Sequence, residues 1–350
     1  MRSRGRADVG RTSRTAASAK AAAQLVLHSC HYDAVPSPRL EWTVAGCIAG
    51  WAIARLTAAD RFRMLERAAV PMMSLTPQAA AGAGLAALLL RRKGPSVTAA
   101  VAGAALAAVV APRAIPSRQP RADGPELRIL TINLLAGGAA APGLVGLVAA
   151  TGADVVFLQE LTDEAVIRLK RAGLSELLPN EMLDVEGYRY RGSGIYARYP
   201  LRDGLTIGPS YASQPTARLD LPSGRSVQLV CVHPHPPFPP WSWAAAPRWR
   251  GELDALPPPG DPPVLLVGDY NATPDHAQFR RLLRLGYVDA ASQVGNGLVP
   301  TWGPEPRGRP ALFTVDHVLV DPRCAVLVTA VHEVPGSDHR ALFARLRLPA

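Results

Sequence analysis

The chain has 350 residues, 48% of them hydrophobic and 19% charged, which excludes a disordered or fibrous protein. Four cysteines, with no CxxC and no Cys/His cluster, exclude a disulfide scaffold and give no sign of a zinc site. The net charge of +10 points to a nucleic-acid surface only until it is divided: 17 basic residues face 6 acidic ones through Gly124, whereas 21 face 22 from Pro125 onward.

Residues 1–40 are rich in Arg, Ala and Ser and lack apolar periodicity, so they read as a disordered basic tail. The tail is too long to be the basic start of a secretory signal. Charge-free stretches follow at 42–54, 68–90 and 94–112, of 13, 23 and 19 residues. A bilayer-spanning helix needs roughly 20 apolar residues. The second and third stretches meet that length; the first does so only if Arg55 snorkels and the helix continues through Leu56. Arg91, Arg92, Lys93 and Arg113 bracket the runs as basic residues bracket membrane spans. Gly46 and Gly50 give a GxxxG spacing that suits close helix approach. Residues 41–112 are therefore expected to form a membrane region of two or three transmembrane helices, against the competing reading of a soluble Ala-rich hairpin. Residues 113–125, rich in Pro and Arg, read as a linker.

From 126 to 350 the texture is that of an α+β domain. Strands are predicted at 127–132, 154–158, 188–199, 216–221, 227–232, 264–267, 313–320, 325–334 and 341–348. Helices are predicted near 144–150, 162–171, 249–256 and 279–285. Polar residues collect where apolar strands end: Asn133, Gln159-Glu160, His233, Gly268-Asp269-Tyr270-Asn271 and Ser337-Asp338-His339. Strand ends gather along one sheet edge, so these groups can converge on one cleft. Asp269 with Asn271 equally suits an Asx turn. Asp316 falls inside the apolar run Phe-Thr-Val-Asp-His-Val, where an unpaired carboxylate is costly. Cys231 reads as a core thiol, and Cys324 has no evident partner.

The order of these motifs, with Thr301-Trp302 as a lesser one, resembles the endonuclease/exonuclease/phosphatase superfamily, which includes deoxyribonuclease-I-like enzymes. The resemblance covers nearly all of residues 126–348. It implies a four-layered α/β sandwich with two central mixed β-sheets. It further implies a Mg²⁺-dependent (or Mn²⁺-dependent) hydrolase in which Glu160, Asn133 and Asp338 ligate the metal. Asp269 would position or deprotonate the attacking water, and Asn271 would donate to the phosphate. His339, oriented by Asp316, and His233 would flank the phosphate. An oxygen donor set suits such a hard cation. One feature departs from the nuclease branch, in which the second histidine pairs with a glutamate from an earlier strand. The run 188–199 has no acid, and Glu186 is the nearest candidate.

The expected function is a membrane-anchored, metal-dependent, nuclease-like phosphodiesterase. A phospholipid or sphingolipid phosphodiesterase and a catalytically silent tethered binding domain are the alternatives. The expected partners are a phosphodiester substrate (nucleic acid or lipid head group) and the lipid bilayer; nothing points to a protein partner. Arg280, Arg281 and Arg284 form either a local basic patch or a solvated helix face. Phe238, Trp241 and Trp243 lie in a Pro-rich loop beside His233 and suit packing, a lipid interface or base stacking. Counting basic residues favours two spans with a cytoplasmic domain. The resemblance to bacterial members with a three-helix stalk favours three spans, and the expected active site is extracytoplasmic.

Overall fold

The structure, a computed structural model, describes residues 37–185, 190–208, 210–238, 242–303 and 310–350. The predicted tail lies outside the described residues except for 37–40, and so do Glu186, Tyr188 and Trp241.

The strands, in chain order, are β1 (Glu126–Asn133), β2 (Val155–Gln159), β3 (Asn180–Asp184), β4 (Ser193–Ala197), β5 (Leu201–Thr206) and β6 (Pro215–Asp220). They continue with β7 (Ser226–Val232), β8 (Val264–Asp269), β9 (Val288–Asp289), β10 (Asp316–Val320), β11 (Ala325–Glu333) and β12 (Arg340–Arg347). One sheet has the order β11-β12-β1-β2-β4-β3, the other β5-β6-β7-β8-β10-β9. Each contains one parallel pair, β1 with β2 and β7 with β8, and both are therefore mixed. The central strands are buried on both faces, and side-chain alternation divides them between two cores. Along β1, Leu127 and Ile129 face the core between the sheets, whereas Leu130 and Ile132 face the outside.

The helices, in chain order, are α1 (Pro38–Leu56), α2 (Glu66–Ser74), α3 (Thr76–Leu89), α4 (Lys93–Val110), α5 (Ala141–Thr151), α6 (Asp163–Arg171), α7 (Leu174–Leu177), α8 (Ala245–Asp254), α9 (Ala277–Arg284) and α10 (Ala290–Gln293). Leu144 and Val148 of α5 and Leu169 of α6 cover the outside of the first sheet. Trp249 of α8 with Phe279 and Leu282 of α9 cover the second. The result is a helix–sheet–sheet–helix sandwich, as the sequence leads one to expect. Three strands escape the sequence reading. β3 and β5 carry mixed charged and apolar residues without a buried face, and β9 is two residues long.

The N-terminal helices pack against one another and then against the sandwich. Ala52 of α1 meets Ala102 and Leu106 of α4. Gly103 of α4 lies against Ala83 of α3, where an added Cβ would come within 3.0 Å of the alanine Cβ. Gly46 and Gly50, by contrast, have open space where a Cβ would go, so the GxxxG spacing makes no close approach among the described residues. By length and composition, Lys93–Ala114 can cross a membrane, and α2 with α3 qualifies only as a pair bent by 75°. At the far end Glu41 accepts a hydrogen bond from the Arg92 backbone at 3.0 Å. At the near end Arg55 and Arg113 both grip Asp275, at 2.6–2.7 Å, between β8 and α9. Asp60 accepts from the Ala277 backbone at 2.6 Å, and Val70 of α2 joins the outer core of the second sheet. Residues 113–125 are no free linker. Ser117 donates its backbone N–H to the Gln293 carbonyl at 3.0 Å, and the Gln119 amide donates to the Val326 carbonyl at 2.8 Å.

Candidate active site

One parallel and one antiparallel pair of strands deliver the polar groups to one edge. β1 ends at Asn133 in register with Gln159, the last residue of β2, so Glu160 emerges beside the asparagine. β8 and β10 are antiparallel, and Asp269 stands opposite Asp316. Gly268 precedes Asp269 at φ +150°, where a Cβ would collide with the Val232 carbonyl. The turns that follow are tight. Leu135, Ala136, Glu160 and Asn271 all adopt positive φ, between 48° and 53°. Non-glycine residues in this region store strain, and such strain concentrates at functional sites.

These turns interlock by hydrogen bonds. Asn133 Nδ2 donates to Glu160 Oε1 at 3.0 Å and to Asp269 Oδ2 at 3.1 Å, tying the two sheets together. The Ala136 N–H donates to Glu160 Oε2 at 2.6 Å. Burial raises the Glu160 carboxyl above the usual carboxylate range, against the opposing effect of those two donors. The Asn271 N–H donates to Asp269 Oδ1 at 2.8 Å, so the Asx turn does form, within the site. Ser337 Oγ donates to the Asn133 carbonyl at 2.7 Å and accepts from the His339 N–H at 3.0 Å, which fixes the last motif against β1.

His339 is held between two carboxylates. Its Nδ1 lies 2.9 Å from Asp316 Oδ2, and its Nε2 lies 3.7 Å from Asp269 Oδ2. Burial opposes its protonation, but Asp316, Asp269 and Asp338 outweigh burial and push the imidazole up to about 10. Asp269 is itself raised by burial, with His339 opposing. His233 behaves oppositely. Burial pushes it down to about 4, and its Nδ1 has no hydrogen-bond partner among the described residues. The carboxylate that the nuclease branch places beside it is not found there among the described residues.

Asn133, Glu160, His233, Asp269, Asn271, Asp338 and His339 all line one cavity of about 610 Å³. Asp316 stands behind His339. The sequence therefore singled out every polar side chain on the cavity wall except Ser74 and the hydroxyls of Tyr190 and Tyr211, with Trp302 marked only within a lesser motif. Trp302 Nε1 donates to Asp338 Oδ2 at 2.8 Å, leaving Asp338 Oδ1 buried and without a hydrogen-bond partner among the described residues. A buried carboxylate oxygen with no donor, facing the same cavity as the half-buried Glu160, fits a cation. Asn133 fits less directly, because its Oδ1 already accepts from the Leu135 N–H at 3.0 Å. A second acidic group, Asp269, Asp316 and His339, brings ligand atoms within 4.8 Å of one another. There, however, the Asp316–His339 hydrogen bond already occupies Nδ1.

Other predicted features resolve simply. Arg281 pairs with Asp254 at 3.1 Å and Arg280 donates to the Asp275 carbonyl, so these two belong to a paired helix face. Phe238 lines the cavity, whereas Trp243 carries the Arg67 guanidinium over its ring. Cys231 is fully buried, which pushes its thiol up to about 12. Pro71, Ser74 and Leu75 also line the cavity, from a segment 58 or more residues before Asn133, and nothing in their local sequence marks them for it.

The fold recurs in solved structures. An endonuclease/exonuclease/phosphatase from Beutenbergia cavernae DSM 12333 is 21% identical, over 64% of this chain and 72% of that one, with a TM-score of 0.50. D. rerio TDP2, solved with a single-strand DNA product, is 20% identical over 63% of this chain and 98% of that one, with a TM-score of 0.49. At such identities the likeness extends to the fold alone. No protein of curated function matches. The family model "Endonuclease/Exonuclease/phosphatase family" matches residues 130–339, from the middle of β1 through His339, and the chain belongs to that family of phosphoester hydrolases.

Proposed function

We propose that the chain is a membrane-anchored, divalent-metal-dependent phosphodiesterase whose chemistry takes place in this cavity. The observation that carries the reading is the buried Asp316–His339–Asp269 arrangement facing the same space as Glu160 and Asp338. Glu160 and Asp338, with Asn133 beside them, would hold Mg²⁺ or Mn²⁺. When bound, the ion supplies charge neutralisation at the phosphoryl oxygens and favours an ionised water.

The protein's own groups divide the remaining work. Asp269, raised by burial, is placed to accept the proton of the attacking water. His339 is an imidazolium at neutral pH. It donates to a phosphoryl or leaving oxygen from Nε2, while Asp316 fixes the ring through Nδ1. His233 stays neutral and presents a hydrogen-bonding nitrogen without adding charge. Asn271 Nδ2, which donates to the Pro234 carbonyl at 3.1 Å, would exchange that acceptor for a phosphoryl oxygen.

The N-terminal hairpin supports the anchor. Lys93–Ala114 is about 30 Å long at 1.5 Å per residue, the thickness of a bilayer core. Leu88 is 84% exposed and Val101 66%, apolar surface that lipid would cover. α1 runs beside α4 in the same direction, with Glu41 at the Arg92 end and Arg55 at the Arg113 end. α1 is not itself among the helices long and apolar enough to cross; its parallel course beside α4 is what supports the reading of three spans and an extracytoplasmic site.

Nucleic acid and lipid head groups remain the two substrate classes. The lipid reading is favoured by the apolar wall that the hairpin contributes to the cavity. Assaying the full chain against DNA, RNA, phospholipid and inositol phosphates, with and without Mg²⁺, tests the proposal. Hydrolysis of none of them would overturn it.

A further inference from the structure

The cavity is built from both parts of the chain. The polar cluster of the sandwich lines it together with a largely apolar set, Pro71, Ser74 and Leu75 of the bend between α2 and α3 with Phe238 and Phe313. The bend is held firmly. Gln78 of α3 donates to the Leu312 carbonyl at 3.1 Å, next to Phe313. The Val70 carbonyl lies 2.9 Å from Nε2 of the buried His276. Glu66 pairs with Arg250, and the Arg55–Asp275–Arg113 network lies at the base of the same hairpin. α2 and α3 meet at 75°, so the chain turns at the cavity mouth and then leaves the sandwich along α3, whose Leu85, Leu88 and Leu89 are exposed. α3 thus runs from the cavity lining at Leu75 to the exposed leucines that the proposed function assigns to lipid.

We propose that Pro71, Ser74 and Leu75 determine specificity, selecting an amphiphilic phosphodiester drawn from the bilayer whose apolar ester arm lies against this wall. The inference rests on the phosphodiesterase reading and narrows its substrate. A phosphate seated among Glu160, His339 and Asn271 would share the cavity with Leu75, Phe238 and Phe313, apolar side chains against which one ester arm can lie. That space suits methylenes better than a charged polynucleotide.

The test uses the full chain in lipid nanodiscs and two chromogenic esters, methyl and butyl p-nitrophenyl phosphate. Burying three more methylenes predicts a kcat/KM for the butyl ester roughly 50-fold above the methyl ester. Ser74→Trp, which fills the wall, and Leu75→Ala, which removes it, should each bring that ratio down toward one. Leu88→Ala, on the hairpin but away from the cavity, should leave the ratio unchanged. Binding of butyl against methyl phosphate, followed by tryptophan fluorescence, should show the same preference and the same response to the variants. If neither ester is turned over but the binding preference holds, the phosphodiesterase reading fails and the wall stands. A butyl-to-methyl ratio near one in both measurements would overturn the inference. So would a single-stranded oligonucleotide that outcompetes the butyl ester in the wild type and not in Ser74→Trp.

Discussion

Asp316 Oδ2 lies 2.9 Å from Nδ1 of His339, and both side chains are buried, although one begins β10 and the other precedes β12. A carboxylate in this position pays no desolvation without a partner, because the imidazolium and the carboxylate stabilise each other. It also sets which face of the ring looks toward Asp269.

Asp316→Asn should therefore lower kcat by roughly 10²–10⁴-fold, the range that a positioned acid or base contributes, with KM changed little. Steady-state kinetics on a small phosphodiester, with circular dichroism as the control for folding, checks this. A folded variant with full kcat would show that Asp316 is a buried structural acid.

Trp302→Phe should raise the Mg²⁺ concentration needed for half-maximal activity, because Asp338 loses the indole donor that orients it at 2.8 Å. Outer partners of metal ligands typically contribute roughly 10–100-fold in metal affinity. A Mg²⁺ titration of the variant measures the shift, and an unchanged midpoint would remove Asp338 from the ligand set.

The contrast between Asp338 and Asp275 shows how far the sequence could be read. Asn133 and Asp269 end apolar strands, Glu160 follows one and Asp338 precedes one, so local pattern alone marks them and the sheet edge gathers them. Asp275 meets Arg55 across 220 positions, and no local pattern encodes such a pair. The same holds for Leu75 at the cavity. The run 313–320 reads as one strand by hydrophobicity. Its first residues instead leave the sheet, where Phe313 bridges to Trp302, and β10 begins at Asp316.

Asp275→Asn should loosen the hairpin from the sandwich. It leaves two buried guanidinium groups without a countercharge, a loss of about 3–5 kcal/mol for a broken buried pair. Hydrogen exchange should show faster exchange over residues 55–75 with β1 and β2 still protected. The pH dependence follows from the same pair. Burial alone would raise Asp275, but Arg113 and Arg55 hold it below its ordinary 3.8. A depressed carboxylate contributes fully above its unfolded range and is lost as pH falls through the folded value. Docking should thus be insensitive to pH above about 4 and weaken below it.

Alkaline phosphatase fused after Ala350 of the full chain should be active if three helices cross the bilayer. A cytoplasmic fluorescent fusion that glows while the phosphatase fusion stays silent would place the catalytic domain inside.

The most direct test of the metal-dependent site is turnover of a small phosphodiester by the wild type and Glu160→Gln, in Mg²⁺ and in EDTA. Glu160 contributes a half-buried carboxylate to the cavity, and removing one of a few oxygen ligands should abolish most of the charge neutralisation at the phosphate. The account predicts Mg²⁺-dependent activity in the wild type, its loss in EDTA, and a folded, nearly inactive Glu160→Gln. Full activity of that variant in Mg²⁺, or of the wild type in EDTA, would contradict it.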